Sequence, residues 1–230
     1  MSDHHRETFI TKYIFSQDHK MIAKQFLITG MIMAVIGMLM SAMFRVQLAN
    51  PGESSILYNL LPSGWLNEDG ALEPDKYLAL VTMHGTILVF WVLTAGLTGT
   101  FANFLIPLQI GARDMASGFL NMLSYWFFFA ATVVLVSSIF VESGPASGGW
   151  TIYPPLSALP QAIPGSGMGM TLWLISIILF IVGSLLGGLN YIVTVLNLRT
   201  KGMSMKRLPL TIWSLFLTAI LGVLSFPVLI

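Results

Sequence analysis

The sequence contains no cysteine, which removes disulfide frameworks, thiolate metal sites and cysteine nucleophiles together. Charge is scarce as well. Asp, Glu, Lys and Arg make up 9% of the 230 residues, against about 25% in an ordinary globular domain. The formal balance of +1 leaves no basic stripe to neutralise phosphates, so a nucleic-acid partner is excluded. No Gly-rich phosphate loop, no Ser/His/Asp set and no paired carboxylates occur, which argues against phosphoryl and acyl transfer. Only four His and ten Asp or Glu are available as metal ligands, and most of them stand in polar loops.

What the chain has instead is apolar length. Hydrophobic residues reach 55% and the mean hydropathy is +0.80. Runs long enough to cross ~30 Å of hydrocarbon at ~1.5 Å per residue fall at about Gln25 to Arg45, Leu78 to Leu105, Phe119 to Val141, Met170 to Leu198 and Leu208 to Ile230. The strand-length alternation of a membrane barrel is missing. The expected fold is therefore all-α, a polytopic transmembrane helical bundle of five spans. Small residues such as Gly96/Gly99 and Gly183/Gly187 let helices approach closely in lipid.

Basic residues in short loops stay on the cytoplasmic side. Arg6, Lys12, Lys20, Lys24, Arg113, Arg199, Lys201, Lys206 and Arg207 share one side of the expected bundle, and only Arg45 and Lys76 lie on the other, with Glu53, Glu68, Asp69, Glu73, Asp75 and Glu142. Residues 1–24 are then a cytoplasmic N-terminal segment, part of it lying along the inner surface, and 25–230 a five-helix membrane region whose last span exits outside. Span 5 stops at Ile230 without a polar tail, so a cut chain or a partner polypeptide is expected there.

An ionisable group within a span is a functional hypothesis by default. His84, about two turns into the second span, is a candidate haem-iron ligand; a neutral imidazole bonded to a neighbouring helix's carbonyl is the equally open reading. Gly85 beside it leaves room for a flat macrocycle or for a close helix. Arg45 either snorkels to the interface or donates to a buried cofactor. Trp150 and Tyr153 fall in an outer loop, where interfacial anchoring is the ordinary role. Asp114 lies in an inner loop, and Asn103, Asn121, Ser124, Asn190, Thr194 and Asn197 gather at the same end, the last three on one helix face at spacings four and seven. Such residues commonly join helices; converging on one carboxylate, they also suit a water file for protons from inside. The fourteen methionines read as soft packing.

Asp18-His19-Lys20, Arg45, Tyr77 seven residues before His84, Asn103 followed by Ile106 to Ala116, Asn121 to Trp126, and Gly149 to Pro155 resemble, in order and spacing, subunit I of the haem-copper respiratory oxidases. The resemblance covers nearly the whole chain and is most specific from Asn103 to Trp126. Arg113 stands where many members have proline, and Met122 where many have a second asparagine.

The resemblance implies that His84 is an axial ligand of the low-spin haem, of type a, and that Arg45 hydrogen-bonds a ring substituent of that haem. It places Trp150 and Tyr153 near the propionates and Tyr77 beside the same cofactor. Asp114 is similar to the uptake carboxylate of the D-type proton pathway, with Asn103, Asn121 and Asn190 as its asparagines and Ser184 higher up. It further implies a fold of about twelve spans, each helical because lipid satisfies no backbone group. The high-spin haem and copper are then ligated beyond the fifth span, so no catalytic residue of the oxygen-reducing centre lies in this chain. The implied activity is proton-pumping reduction of oxygen to water, with cytochrome c or quinol as donor and the remaining helices of subunit I, other oxidase subunits and lipid as partners. The implied location is an energy-coupling membrane, the bacterial inner membrane. A quinol oxidase or nitric oxide reductase of the same superfamily, and a non-catalytic membrane scaffold, are the alternatives.

Overall fold

The computed structural model describes residues 8–156, 158–162 and 167–229; Arg6 and Ile230, on which expectations above rest, lie outside them. Five helices long and apolar enough to cross a membrane follow in order: α1 (His19–Ala49), α2 (Pro74–Ile110), α3 (Gly118–Phe140), α4 (Gly167–Asn197) and α5 (Leu210–Leu229). Among the described residues there is no strand, only one isolated bridge between Leu66 and Leu72. The chain forms a polytopic helical bundle, as its apolar runs predict.

The helices outrun those apolar runs because polar caps set their ends. Asp18 accepts the amide of Lys20 through Oδ1 at 2.9 Å, an N-cap that starts α1 at His19, inside the stretch expected to lie on the membrane surface. Ahead of it, Ile10–Ile14 forms a short helical turn. Pro74 occupies the first turn of α2, where its missing N–H goes unused. At the other end, Gly111 adopts φ 75° and closes α2. A Cβ at Gly111 would stand 2.7 Å from Thr200 Oγ1, so both backbone conformation and space require glycine. Asn103 consequently lies two turns inside α2 rather than at its end. Within α2, residues Ile87–Leu97 form an 11-residue π-helical stretch, a rare geometry that is frequent near functional sites.

The chain divides into two compact units. The first comprises residues 8–29, Ala95–Phe129 and 179–229; the second comprises Gly30–Thr94 and the described part of Ala130–Ile178. In the first, Ala102, Ile106, Ile110, Met115, Tyr191, Val195, Leu208, Ile212, Phe216 and Ala219 form one buried cluster. A Cβ on Gly183 would meet the Ser124 carbonyl oxygen at 2.9 Å, so α3 and α4 touch backbone to backbone there. In the second, a Cβ on Gly37 would lie 3.0 Å from Leu88 Cδ2, which sets α1 against α2. In lipid such close packing, rather than water exclusion, holds helices together.

Candidate functional site

His84 comes from α2 and points to the Gly37 contact in the second unit. Its Nδ1 lies 2.8 Å from the Gly37 carbonyl oxygen. A carbonyl only accepts, so Nδ1 carries a proton, and in the neutral imidazole Nε2 keeps its lone pair. The hydrogen bond to a neighbouring helix thus exists, and it does not compete with ligation. It fixes the tautomer and ring orientation that a metal-bound imidazole needs. Phe44 of α1 stands edge-on to His84 at 5.4 Å between centroids and to Tyr77 at 6.2 Å. The three rings form a row, and sequence reading missed its central member.

The residue after His84 decides what lies beside it. No atom comes within 4 Å of a Cβ built on Gly85, so the glycine serves no close helix contact. Among the described residues no three His, Asp or Glu gather around a common point. A lone imidazole does not chelate a free ion, whereas a porphyrin brings its own equatorial nitrogens and asks the protein for axial ligands. An imidazole with a free Nε2, flanked by open space and an aromatic edge, fits a haem.

Arg45 is exposed and donates from Nε to Ser41 Oγ at 3.2 Å. In the loop between α3 and α4, Trp150 meets Phe90 edge-on at 5.5 Å and remains 47% exposed, while Tyr153 is 71% exposed. Buried Ile152 between them has φ 38°, a strained value for a β-branched residue, and Thr151 and Tyr153 on either side of it are exposed. The loop is pinned where the Gly149 amide donates to Thr82 Oγ1 at 3.0 Å and Lys76 Nζ donates to the Ser143 carbonyl at 3.2 Å. All five residues expected to face a haem belong to this unit.

The first unit holds all five residues of the expected proton route. Asn190 grips the loop between α2 and α3: its Oδ1 accepts the Ser117 amide at 2.9 Å and its Nδ2 donates to the Ser117 carbonyl at 3.1 Å. Thr194 accepts the Ala116 amide at 3.0 Å. Held in this way, Asp114 is half-buried and accepts the Met115 amide through Oδ1 at 2.7 Å. Asn190 and Thr194 therefore act as helix-to-loop fasteners, and Asn197, at the last turn of α4, is exposed rather than sharing their buried face. Ser184 is half-buried.

Asn103 and Asn121 differ. Both are fully buried, and Asn121 Nδ2 and Oδ1 have no protein partner; Asn103 Oδ1 has none either. Polar atoms left so in apolar surroundings call for water. The Asp18-His19-Lys20 motif gives His19 no role of its own, yet it is 3% exposed, with Nδ1 2.8 Å from the Asn103 carbonyl. Its position in a short motif before the apolar run is the signal that could have found it.

Known proteins share this sequence over nearly its whole length. The family described as cytochrome c and quinol oxidase polypeptide I matches residues 21–230. The alternative cytochrome c oxidase subunit 1 of Bradyrhizobium diazoefficiens is 43% identical over 226 residues, 98% of this chain and 36% of that protein. Cytochrome c oxidase subunit 1 of Candida albicans is 37% identical over 222 residues, 96% and 38% of the respective chains. The Cereibacter sphaeroides protein of the same name is 36% identical over 242 residues, 99% and 42%. The chain spans somewhat over a third of the length of these relatives.

Proposed function

Because the chain belongs to the cytochrome c and quinol oxidase polypeptide I family, we propose that it is part of the catalytic subunit of a proton-pumping terminal oxidase, contributing one axial ligand of a low-spin haem and a D-type proton-uptake route. The observation that carries this reading is the His84 imidazole, tied through Nδ1 to the Gly37 carbonyl with Nε2 left for iron. Arg45 supplies a guanidinium for a ring substituent, Trp150 and Tyr153 donate near the propionates, and Tyr77 closes the aromatic row. When bound, the haem supplies one-electron transfer between the donor, cytochrome c or quinol, and the oxygen-reducing centre. The high-spin haem and copper of that centre are assigned to ligands outside this chain.

In the first unit Asp114 collects protons, and the free Oδ1 of Asn103 and the unpartnered amide of Asn121 hold the water that passes them on, with Ser184 further along. The excess of Lys and Arg in the segments around it supports a cytoplasmic location for this end, in an energy-coupling membrane, the bacterial inner one. In the complete oxidase, His84→Ala is expected to abolish the low-spin band of the reduced-minus-oxidised spectrum. An unchanged band would overturn the reading.

A further inference from the structure

The hydrogen-bond partner of Asn103 is a residue to which the motif assigns no part. Asn103 Nδ2 donates to the Gly99 carbonyl at 2.7 Å and to the Tyr191 hydroxyl at 3.0 Å. Both amide protons are thereby used, and the amide is fixed with Oδ1 as its free acceptor. A flipped amide would set Oδ1 against the Gly99 carbonyl, acceptor against acceptor. Tyr191 is 7% exposed and sits in the buried cluster on α4. Its oxygen accepts from Asn103, so its own O–H has still to be donated. A Cβ built on Gly187 would lie 3.5 Å from the Tyr191 hydroxyl and 3.6 Å from Ser124 Oγ. The glycine therefore leaves a notch bordered by two hydroxyls, and Ser124 in turn donates to the carbonyl of Asn121 at 2.7 Å.

We infer that Tyr191 is a positioning residue of the proton route: its phenol oxygen locks the Asn103 amide in one orientation and its O–H turns to the Gly187 notch beside Ser124. This rests on the proton-route reading above. A phenylalanine would fill the same volume in the cluster, so the role lies in the oxygen alone. Without it one Asn103 N–H loses its partner and the amide is free to rotate about its side-chain torsion.

The test is Tyr191→Phe in the complete oxidase reconstituted in vesicles, with Asp114→Asn prepared in parallel. Tyr191→Phe is expected to slow proton uptake roughly three- to tenfold, the size of one buried hydrogen bond, with a raised solvent deuterium isotope effect, an intact haem spectrum and a melting temperature that falls by no more than the loss of that one bond accounts for. Uptake within a factor of about two of the unsubstituted enzyme, or slowing that comes only with loss of haem, overturns the inference. If Asp114→Asn also leaves uptake unchanged, the proton route itself fails; if it slows uptake while Tyr191→Phe does not, only the role of Tyr191 fails. Should Tyr191→Phe not assemble, Gly187→Ala, whose Cβ fits at ordinary contact distance, must slow uptake by filling the notch, and unchanged uptake in that variant overturns the inference equally.

Discussion

The two units treat buried polar atoms in opposite ways. In the unit carrying His84, buried donors are matched: Trp91 Nε1 donates to Thr132 Oγ1 at 2.9 Å, Trp173 Nε1 to Thr86 Oγ1 at 3.2 Å, and His84 Nδ1 to Gly37. Among the described residues every buried side-chain polar atom without a partner, on Gln25, Asn103, Gln109, Asn121 and Trp126, belongs to the other unit. A site that holds a rigid cofactor profits from fixed donors, because orientation is what it supplies. A route for protons needs groups that water can reach and re-pair with as each proton passes. On the proposed reading, the contrast between matched and unmatched polar atoms follows from those two tasks.

The largest effects separate the units outright. His84→Ala should remove the low-spin band entirely while residues around Asp114 keep their arrangement, because the tie to Gly37 lies wholly in its own unit. Asp114→Asn should do the reverse, cutting steady-state turnover and pumping about tenfold or more, within the range of a lost proton-transfer group, with the spectrum preserved. A haem spectrum altered by Asp114→Asn, read by optical difference, would break the separation.

A pair of substitutions tests the contrast in stability. Thr86→Val leaves the buried Trp173 indole without its acceptor and should cost about 1–3 kcal/mol, seen as a lower melting temperature of the membrane-embedded complex. Asn121→Leu removes two atoms that have no protein partner. In a dry site it would stabilise, since unmade hydrogen bonds are costly. In a hydrated one it removes the water's anchor, so the expected result is no gain in melting temperature and slowed proton uptake. A more stable Asn121→Leu variant with unchanged uptake would show that the unmatched amides are merely tolerated.

The sequence carried the fold and the residue types of both sites, but not their partners. Five apolar runs make five helices because length and hydropathy decide insertion. The ends were misjudged by several residues, since Asp18, Pro74 and Gly111 set them through capping, which hydropathy does not register. Asn190 and Thr194 were legible as one face, whereas Asn197 kept the spacing but sits where the helix ends and nothing covers it. Gly37 could not be read as the partner of His84, because a backbone carbonyl is common to every residue and leaves no mark in the sequence. Phe44 and Tyr191 carry no distinguishing mark in the sequence, and only the fold shows what their ring edge and hydroxyl face. The π-helical stretch Ile87–Leu97 follows no side-chain period that a sequence displays.

The smallest effect concerns the open side of His84. Glycine within a helix costs about 1 kcal/mol relative to alanine, and a Cβ on Gly85 meets no atom of this chain within 4 Å. With nothing else present, Gly85→Ala should therefore stabilise the second unit by up to that amount. A macrocycle bound through Nε2 changes the balance, because the added methyl group stands on the residue next to the ligand. The expected result in the complete oxidase is a shifted or weakened low-spin band with no gain in melting temperature. A more stable Gly85→Ala enzyme with an unshifted band would mean that the open side of His84 faces lipid or another helix, and would return the imidazole to a packing role.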